Sequence, residues 1–145
     1  MSAAMSTAAG GPRGALPRAL RAIAGITVAT GAVQVLWPGL VLGELGPRPR
    51  RLDRQLFGTI GMFMVVTGGT LDRALAAPRP DRGLVLWGAA QKLGASAAMG
   101  IGVGRGLYAR RALAVAGFDL LSGLGCLAYA RQLASTDTST GKRPR

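Results

Sequence analysis

Long uncharged stretches dominate the pattern of hydrophobic and polar positions in this chain. They cover 22–43, 55–71, 83–104 and 112–130; Lys92 alone interrupts the third, and Asp119 alone interrupts the fourth. Each is close to the roughly 20 residues that a helix needs to cross about 30 Å of hydrocarbon at about 1.5 Å per residue. The pattern predicts four membrane-spanning helices at about 19–37, 54–72, 83–104 and 110–131.

The periodicity within these stretches argues against other fold classes. A helix of a soluble bundle has a polar face that recurs every three or four residues, whereas these stretches are apolar or small all the way round. They also lack the two-residue alternation of an outer-membrane barrel strand. The predicted fold is therefore all-α, an integral membrane four-helix bundle with short loops and disordered termini.

Turn-forming residues and prolines set the predicted boundaries. Trp37 and Pro38 should end the first helix at a membrane interface, because the residue before proline disfavours helix and tryptophan favours the headgroup level. The following PGLVLGELG predicts a short amphipathic segment, and RGLYARR predicts a tight loop between the last two helices. We expect a flexible tail over 1–17, a transmembrane domain over 18–131 and a disordered basic tail over 132–145.

The charge distribution indicates a lipid bilayer as the partner. The net charge is +12, but the arginines cluster at the ends of the apolar stretches, where they would anchor to lipid headgroups. Nucleic-acid binding is the weaker interpretation of this charge. The two tails and the second loop together carry more lysine and arginine than the first and third loops. We expect a multi-pass protein of the cell's inner (plasma) membrane, and this asymmetry predicts that its termini are cytoplasmic.

Lys92 and Asp119 are candidate functional residues, because an ionisable side chain within a membrane is costly and usually has a role. Each costs about 2.5 to 3.5 kcal/mol at a helix centre, while each Leu, Ile, Phe or Val contributes only about −0.3 to −0.6 kcal/mol. The third and fourth helices are therefore marginal alone, and we expect them to need each other or the first two helices.

The partners of these two charges stay open at the level of sequence. Counting from the loop between their helices, Lys92 and Asp119 differ in depth by about 8 Å, so direct pairing is strained. Lys92 could instead reach Asp72, and Asp119 could meet Gln34, Ser122 or an arginine of the short loop. The candidate intramembrane polar site consists of Lys92, Asp119, Gln91, Gln34, Ser122 and Asp72.

Small residues predict close helix packing. Ala90, Gly94, Ala98 and Gly102 recur every four residues on the third helix, a spacing that lets another helix backbone approach. Gly61 and Gly69 could serve the second helix in the same way. Structural packing is the favoured interpretation of the stripe, with a pore or ligand groove as the alternative.

The residue types present argue against enzyme chemistry. The chain has no histidine, and its one cysteine, Cys126, lies in the fourth apolar stretch. A haem, a zinc site or a histidine-dependent triad is therefore not expected. LLSGLG around Ser122 is not a nucleophile motif, and GIGVGRG lacks the preceding strand of a phosphate-binding loop. We expect no enzyme activity, no metal and no cofactor.

The order of elements resembles the small membrane proteins of the DoxX-like family. LRAIAGITVATGAVQVLWPGLVLGELG is followed by a basic loop, RQLFGTIGMFMVVTGG, a helix that carries a lysine, and GFDLLSG. The resemblance covers roughly 18–131. It implies a compact four-helix membrane bundle, mostly without an assigned reaction, with some relatives tied to respiratory or redox complexes.

Two functional hypotheses follow. In the first, the chain is a non-enzymatic structural or accessory subunit, and Lys92 and Asp119 organise a buried polar network. In the second, it is a small proton- or cation-coupled transporter, with Asp119 as the responsive carboxylate and Lys92 as its charge partner. A homo-oligomer or a larger membrane complex would suit either role, and a membrane enzyme ranks below both.

Overall fold

The protein is helical throughout the part that the structure describes. The structure is a computed structural model that describes residues 14–45 and 49–140, apart from the side chains of 137–140. Its described elements are α1 (Ala15–Leu36), α2 (Pro38–Leu45), α3 (Arg51–Ala76), α4 (Arg82–Gly104), a 3-10 turn (Arg110–Ala112) and α5 (Leu113–Thr140). No strand occurs in the described ranges.

The break between α1 and α2 lies at Trp37, where the sequence predicted it. Trp37 has φ −135° and ψ 58°, outside the helical region, and its backbone N–H donates to the Val33 carbonyl at 2.8 Å. Pro38 then starts α2, because its missing N–H costs nothing in the first turn of a helix. The predicted short segment after Pro38 is thus a helix of two turns.

Carboxylates cap the starts of the next two helices. The Asp53 carboxylate accepts a hydrogen bond from the Arg50 N–H at 2.8 Å, and the Asp81 carboxylate accepts one from the Leu84 N–H at 3.1 Å. These bonds satisfy backbone donors that lack a partner within the helix. They fix α3 and α4 to begin close to the predicted positions.

The loop between α4 and α5 contains the positive-φ residue Gly106, with φ 71°. Glycine occupies this left-handed region without the steric penalty of a side chain. The 3-10 turn Arg110–Ala112 follows and leads directly into α5. The tight RGLYARR hairpin predicted from sequence is therefore present.

The last helix is longer than predicted. The sequence predicts a disordered tail over 132–145, but α5 continues to Thr140. Leu133 is partly buried against the core, and the Ser135 and Thr136 hydroxyls donate to carbonyls of the preceding turn. Packing and local hydrogen bonds thus extend the helix through a polar sequence. The predicted flexible tail over 1–17 is likewise too long, since α1 begins at Ala15; residues 1–13 and 141–145 of the predicted tails lie outside the described residues.

The four long helices are arranged as two antiparallel pairs. α1 packs mainly on α3, and α4 packs mainly on α5, while contacts between the two pairs are fewer. Glycine permits the close crossing of α1 and α3: a Cβ on Gly31 would lie 2.6 Å from the Gly61 carbonyl oxygen, and the reverse holds for Gly61. In the other pair, a Cβ on Gly123 would lie 2.7 Å from Leu93.

The two pairs join at the end of the bundle where α1 and α4 begin and α3 and α5 end. The buried core at that end comprises Leu20, Ala24, Leu71, Leu75, Val85, Ala89, Cys126, Tyr129 and Ala130. At the opposite end α2 joins the α4–α5 loop, because the Ala109 N–H donates to the Leu45 carbonyl at 2.8 Å. The core therefore closes one end and leaves a cleft between the pairs at the other.

Two segments, Ala15–Leu36 and Arg110–Thr136, are long and apolar enough to cross a membrane by length and composition. They include the first and last of the four helices predicted to span. The all-helical prediction is confirmed for the described residues.

Candidate functional site

The two charges that interrupt the apolar stretches, Lys92 and Asp119, form a buried ion pair between α4 and α5. The Lys92 Nζ donates to the Asp119 Oδ1 at 2.7 Å. Lys92 is 2% exposed and Asp119 is 9% exposed. The Lys92 Nζ also lies 5.3 Å from the centroid of the Phe118 ring, within the range of a cation–π interaction. Each charge thus has its opposite within hydrogen-bonding distance.

The register in which α4 packs on α5 brings Lys92 and Asp119 together, although the depths estimated from the sequence predicted a strained contact. The three residues of the 3-10 turn rise about 2.0 Å each rather than about 1.5 Å, which accounts for only about 1.5 Å of the roughly 8 Å difference in depth. The Ser96 hydroxyl donates to the Ala116 carbonyl at 2.8 Å, one turn closer to the loop. This second bond holds the same register, so Lys92 reaches Asp119 directly.

The other predicted acidic and hydroxyl partners are bonded elsewhere. Asp72 accepts a hydrogen bond from the Arg21 guanidinium at 2.8 Å, and both side chains are exposed. The Ser122 hydroxyl donates to the Phe118 carbonyl at 2.6 Å, within its own helix. Asp72 therefore links α3 to α1. Ser122 is buried on α5 but is not a hydrogen-bond partner of Lys92 or Asp119.

The two predicted glutamines lie in different surroundings. Gln34, on α1, is 7% exposed, and its Oε1 is buried without a hydrogen-bond donor among the described residues. Gln91 lies on α4 but lines a separate hollow, together with Trp87 and Leu71. Only Gln34 shares a cleft with the ion pair.

The small-residue stripe on α4 lies mostly on its outer surface. Ala90, Gly94 and Ala98 are exposed, and no atom beyond its own helix lies within 4 Å of a Cβ built on Gly94. The stripe therefore receives no neighbouring helix of this chain at Gly94, while Ala90 and Ala98 border open hollows between the helices. Gly102 differs, because a Cβ there would lie 2.5 Å from the Tyr108 ring. Its missing side chain makes room for the loop aromatic.

A cleft of about 540 Å³ opens between the two helix pairs and reaches the ion pair. It is lined by Ile26, Thr27, Thr30, Gln34, Val41, Leu45, Phe57, Ile60, Met64, Lys92, Ala95, Ala98, Met99, Tyr108, Ala114, Val115, Phe118 and Asp119. The walls are mainly apolar, with a few polar groups. Such a composition is typical of small-molecule sites in general.

The sequence offered little signal for several members of this arrangement. Phe118 precedes Asp119 in the chain, but its position beside the lysine depends on the helix pairing. A further ion pair between Arg111 and Glu44, at 3.4 Å, joins the 3-10 turn to α2 and is exposed. No group of three or more metal-ligating side chains occurs among the described residues.

The chain was compared with protein-family models, curated proteins and solved structures, and none of them matches it.

Proposed function

We propose that this chain is an integral membrane protein in which α1, α3, α4 and α5 all cross the bilayer. Its exposed apolar surface supports the proposal. In the most apolar 18-residue part of Ala15–Leu36, only 28% is buried within the chain, and the corresponding share for Arg110–Thr136 is 33%. A core helix of a soluble protein is mostly buried, and a soluble monomer rarely exposes apolar patches of this extent. Lipid is the solvent that these faces fit.

The positions of aromatic and charged residues also fit a bilayer. Trp37, 59% exposed, ends α1, and Trp87, 76% exposed, lies near the start of α4 at the other end of the bundle. Tryptophan favours the two membrane interfaces. α1 has 22 residues and is therefore about 33 Å long, close to the hydrocarbon thickness.

Four threonine hydroxyl groups on α1 and α3 have internal partners, which suits a membrane interior. Thr27, Thr59, Thr67 and Thr70 each donate to a carbonyl one turn earlier in the same helix. In hydrocarbon, a polar group without a hydrogen-bond partner costs on the order of several kcal/mol. These bonds let α1 and α3 carry threonine through an apolar environment.

Within that membrane protein, we propose a non-enzymatic structural or accessory role. The observation that carries it is the ion pair between Lys92 and Asp119. Each charge would oppose insertion of its own helix, and together they neutralise each other and tie α4 to α5. Such a pair favours one register of the two helices over all others, which is a structural task.

The proposal includes the cellular setting predicted from sequence: the inner membrane, cytoplasmic termini and assembly as a homo-oligomer or within a larger membrane complex. The exposed small-residue stripe on α4 supports assembly, because such stripes suit close packing of a further helix. Likeness to the DoxX-like family is likewise a proposal. Two features support this likeness: α1 is followed by a short helix that begins with Pro38, and α4 carries a lysine.

A double-mutant cycle tests the structural role. Lys92→Leu and Asp119→Asn are each expected to lower the free energy of unfolding in detergent by about 3 to 5 kcal/mol, because each leaves a buried group without its partner. The double variant should recover most of that loss. Thermal unfolding followed by circular dichroism measures all four proteins.

The exposed pair supplies the matched control. Arg21→Leu and Asp72→Asn break a bond of similar length, 2.8 Å, between α1 and α3, but at the surface, where solvent screens such pairs and they contribute little to stability. Little coupling is expected there. If the substitutions of Lys92 and Asp119 also had small, additive effects on stability, the proposal of a structural role for the buried pair would be wrong.

A proton- or cation-coupled transporter is the second candidate, because the cleft leads to Asp119. In that case Asp119→Asn should abolish proton movement driven by an imposed Na⁺ or K⁺ gradient in proteoliposomes loaded with a pH-sensitive dye. Insertion of the variant should be unchanged. Identical proton movement in wild type and variant would exclude Asp119 as the coupling residue.

A further inference from the structure

We propose that the cleft between the two helix pairs binds a neutral, hydrophobic molecule that carries a hydroxyl group. This ligand site goes beyond the structural role proposed above, since that role needs only the contact between Lys92 and Asp119. The proposal depends on the cleft's shape, on one unsatisfied side chain and on the balance of charge at its inner end.

The size and walls of the cleft indicate a hydrophobic ligand. Its volume of about 540 Å³ lies within the roughly 300 to 1,000 Å³ of typical small-molecule sites. Ile60 and Met64 of α3 face Val115 and Phe118 of α5 across it. Contacts with these side chains would bury a hydrocarbon body, which is the main source of affinity in such a site.

Gln34 indicates the hydrogen-bonding group of the ligand. Its Oε1 is buried and takes no donor from the described residues, although buried amide groups nearly always have a partner. Thr27, also in the cleft, is by contrast bonded to the Ile23 carbonyl. A hydroxyl group both donates and accepts, so it can pair with the Gln34 amide whichever way the amide is turned.

The ion pair indicates a neutral ligand. Lys92 and Asp119 both line the cleft, and their charges cancel at 2.7 Å. A carboxylate or ammonium group on the ligand would lose its hydration there without finding a free opposite charge, which is unfavourable. Val41 and Leu45 of α2 also line the cleft and add further apolar surface, which suits a lipid-soluble molecule.

Photolabelling with a matched pair of probes tests the proposal. The first probe is a long-chain primary alcohol with a diazirine in its chain, and the second is its methyl ether, which cannot donate a hydrogen bond. Full-length wild-type protein in lipid nanodiscs is irradiated with each, and mass spectrometry locates the label. We expect saturable labelling of cleft residues by the alcohol, and binding of the ether that is weaker by about fivefold, the effect of one hydrogen bond.

Two glutamine variants assign the hydrogen bond. Gln34→Leu should weaken binding of the alcohol about fivefold and leave binding of the ether unchanged, so that the variant binds both probes equally. Gln91→Leu removes the same group from the separate hollow on α4 and should change neither probe. Ala114→Phe, which fills part of the cleft, should reduce labelling by both.

Several outcomes would overturn the proposal. Equal labelling of wild type by alcohol and ether would mean that the cleft accepts any lipid chain. No saturable labelling would mean that another protein surface or nothing fills it, and better competition by the corresponding carboxylic acid would contradict a neutral ligand. The comparison of the two probes on wild type decides the matter even if Gln34→Leu fails to fold.

Carbonate extraction of cell membranes that contain the wild-type protein separates this proposal from the proposed function. Release of the protein by carbonate would contradict the membrane-spanning role, whereas labelling would still report on the cleft. Retention of the protein together with equal alcohol and ether labelling would leave the membrane role intact and reject the ligand site.

Discussion

Two glycines determine how closely α1 and α3 approach. A Cβ on Gly61 would lie 2.6 Å from the Gly31 carbonyl oxygen and 2.7 Å from the Gln34 Cβ, so any larger residue meets backbone that cannot move aside. Close backbone approach of this kind is how helices associate in membranes, where apolar side chains gain nothing by leaving lipid. The crossing also places Gln34 beside α3 at the edge of the cleft.

We predict that Gly61→Ala destabilises the protein by about 1 to 3 kcal/mol, because the added methyl group forces the two helices apart. The matched control is Gly69→Ala on the same helix, where nothing lies within 4 Å of the new Cβ. That change should be neutral or stabilising by about 0.5 to 1 kcal/mol through helix propensity. Thermal unfolding in detergent compares them, and equal effects would contradict the close crossing.

The two charges show how far the sequence goes at the scale of residues. Lys92 and Asp119 stand out in the sequence because they interrupt uncharged stretches. Their contact depends on the register in which α4 and α5 pack, which the Ser96 bond to the Ala116 carbonyl also holds, and a count of helical rise from the loop does not give that register. The same limit hid the partner of Asp72, because the pairing of α1 with α3 is a tertiary feature.

At the scale of elements, the helix starts follow local signals and the last helix end does not. Trp37, Pro38, Asp53 and Asp81 act within a few residues, so the sequence predicts the boundaries they set. The end of α5 depends instead on packing of Leu133 against the core formed by the other helices. Polar composition alone predicts disorder there.

We predict that Leu133→Ala lowers the free energy of unfolding by about 1 to 2 kcal/mol, since a partly buried leucine loses only part of the usual core contribution. Leu121→Ala on the same helix is the control. Leu121 is 72% exposed, on a face proposed to contact lipid or detergent, so its truncation should change stability little. Chemical unfolding monitored by tryptophan fluorescence measures both, and a silent Leu133→Ala would show that the helix extension does not pack on the core.

At the scale of the whole molecule, the bundle is closed at one end and open at the other. Large buried side chains such as Leu20, Leu75 and Val85 join all four long helices at the closed end. At the open end, α2 and the α4–α5 loop bridge the two pairs through the Leu45 carbonyl and the exposed Arg111–Glu44 contact. The Arg111 guanidinium also donates to the Gly43 carbonyl at 3.4 Å; exposed contacts of this kind are weak, so the backbone hydrogen bond is the strongest of these links.

The closed end and the open end should lie on opposite sides of the membrane, and single cysteines can test this. Pro78→Cys lies in the α3–α4 loop at the closed end, and Leu107→Cys lies in the α4–α5 loop at the open end. The only native cysteine, Cys126, is fully buried, so wild type serves as the unlabelled control for a membrane-impermeant maleimide.

With four spanning helices and cytoplasmic termini, Leu107→Cys should be labelled in intact cells and Pro78→Cys only after the cells are lysed. The reverse pattern would preserve the four spans but invert the orientation, because the excess of lysine and arginine that predicts it is small. Labelling of both positions under the same condition would contradict four spans. The same two loops bound α4, so this result would bear directly on whether the helix that carries Lys92 crosses the membrane or lies in a soluble or surface-bound protein.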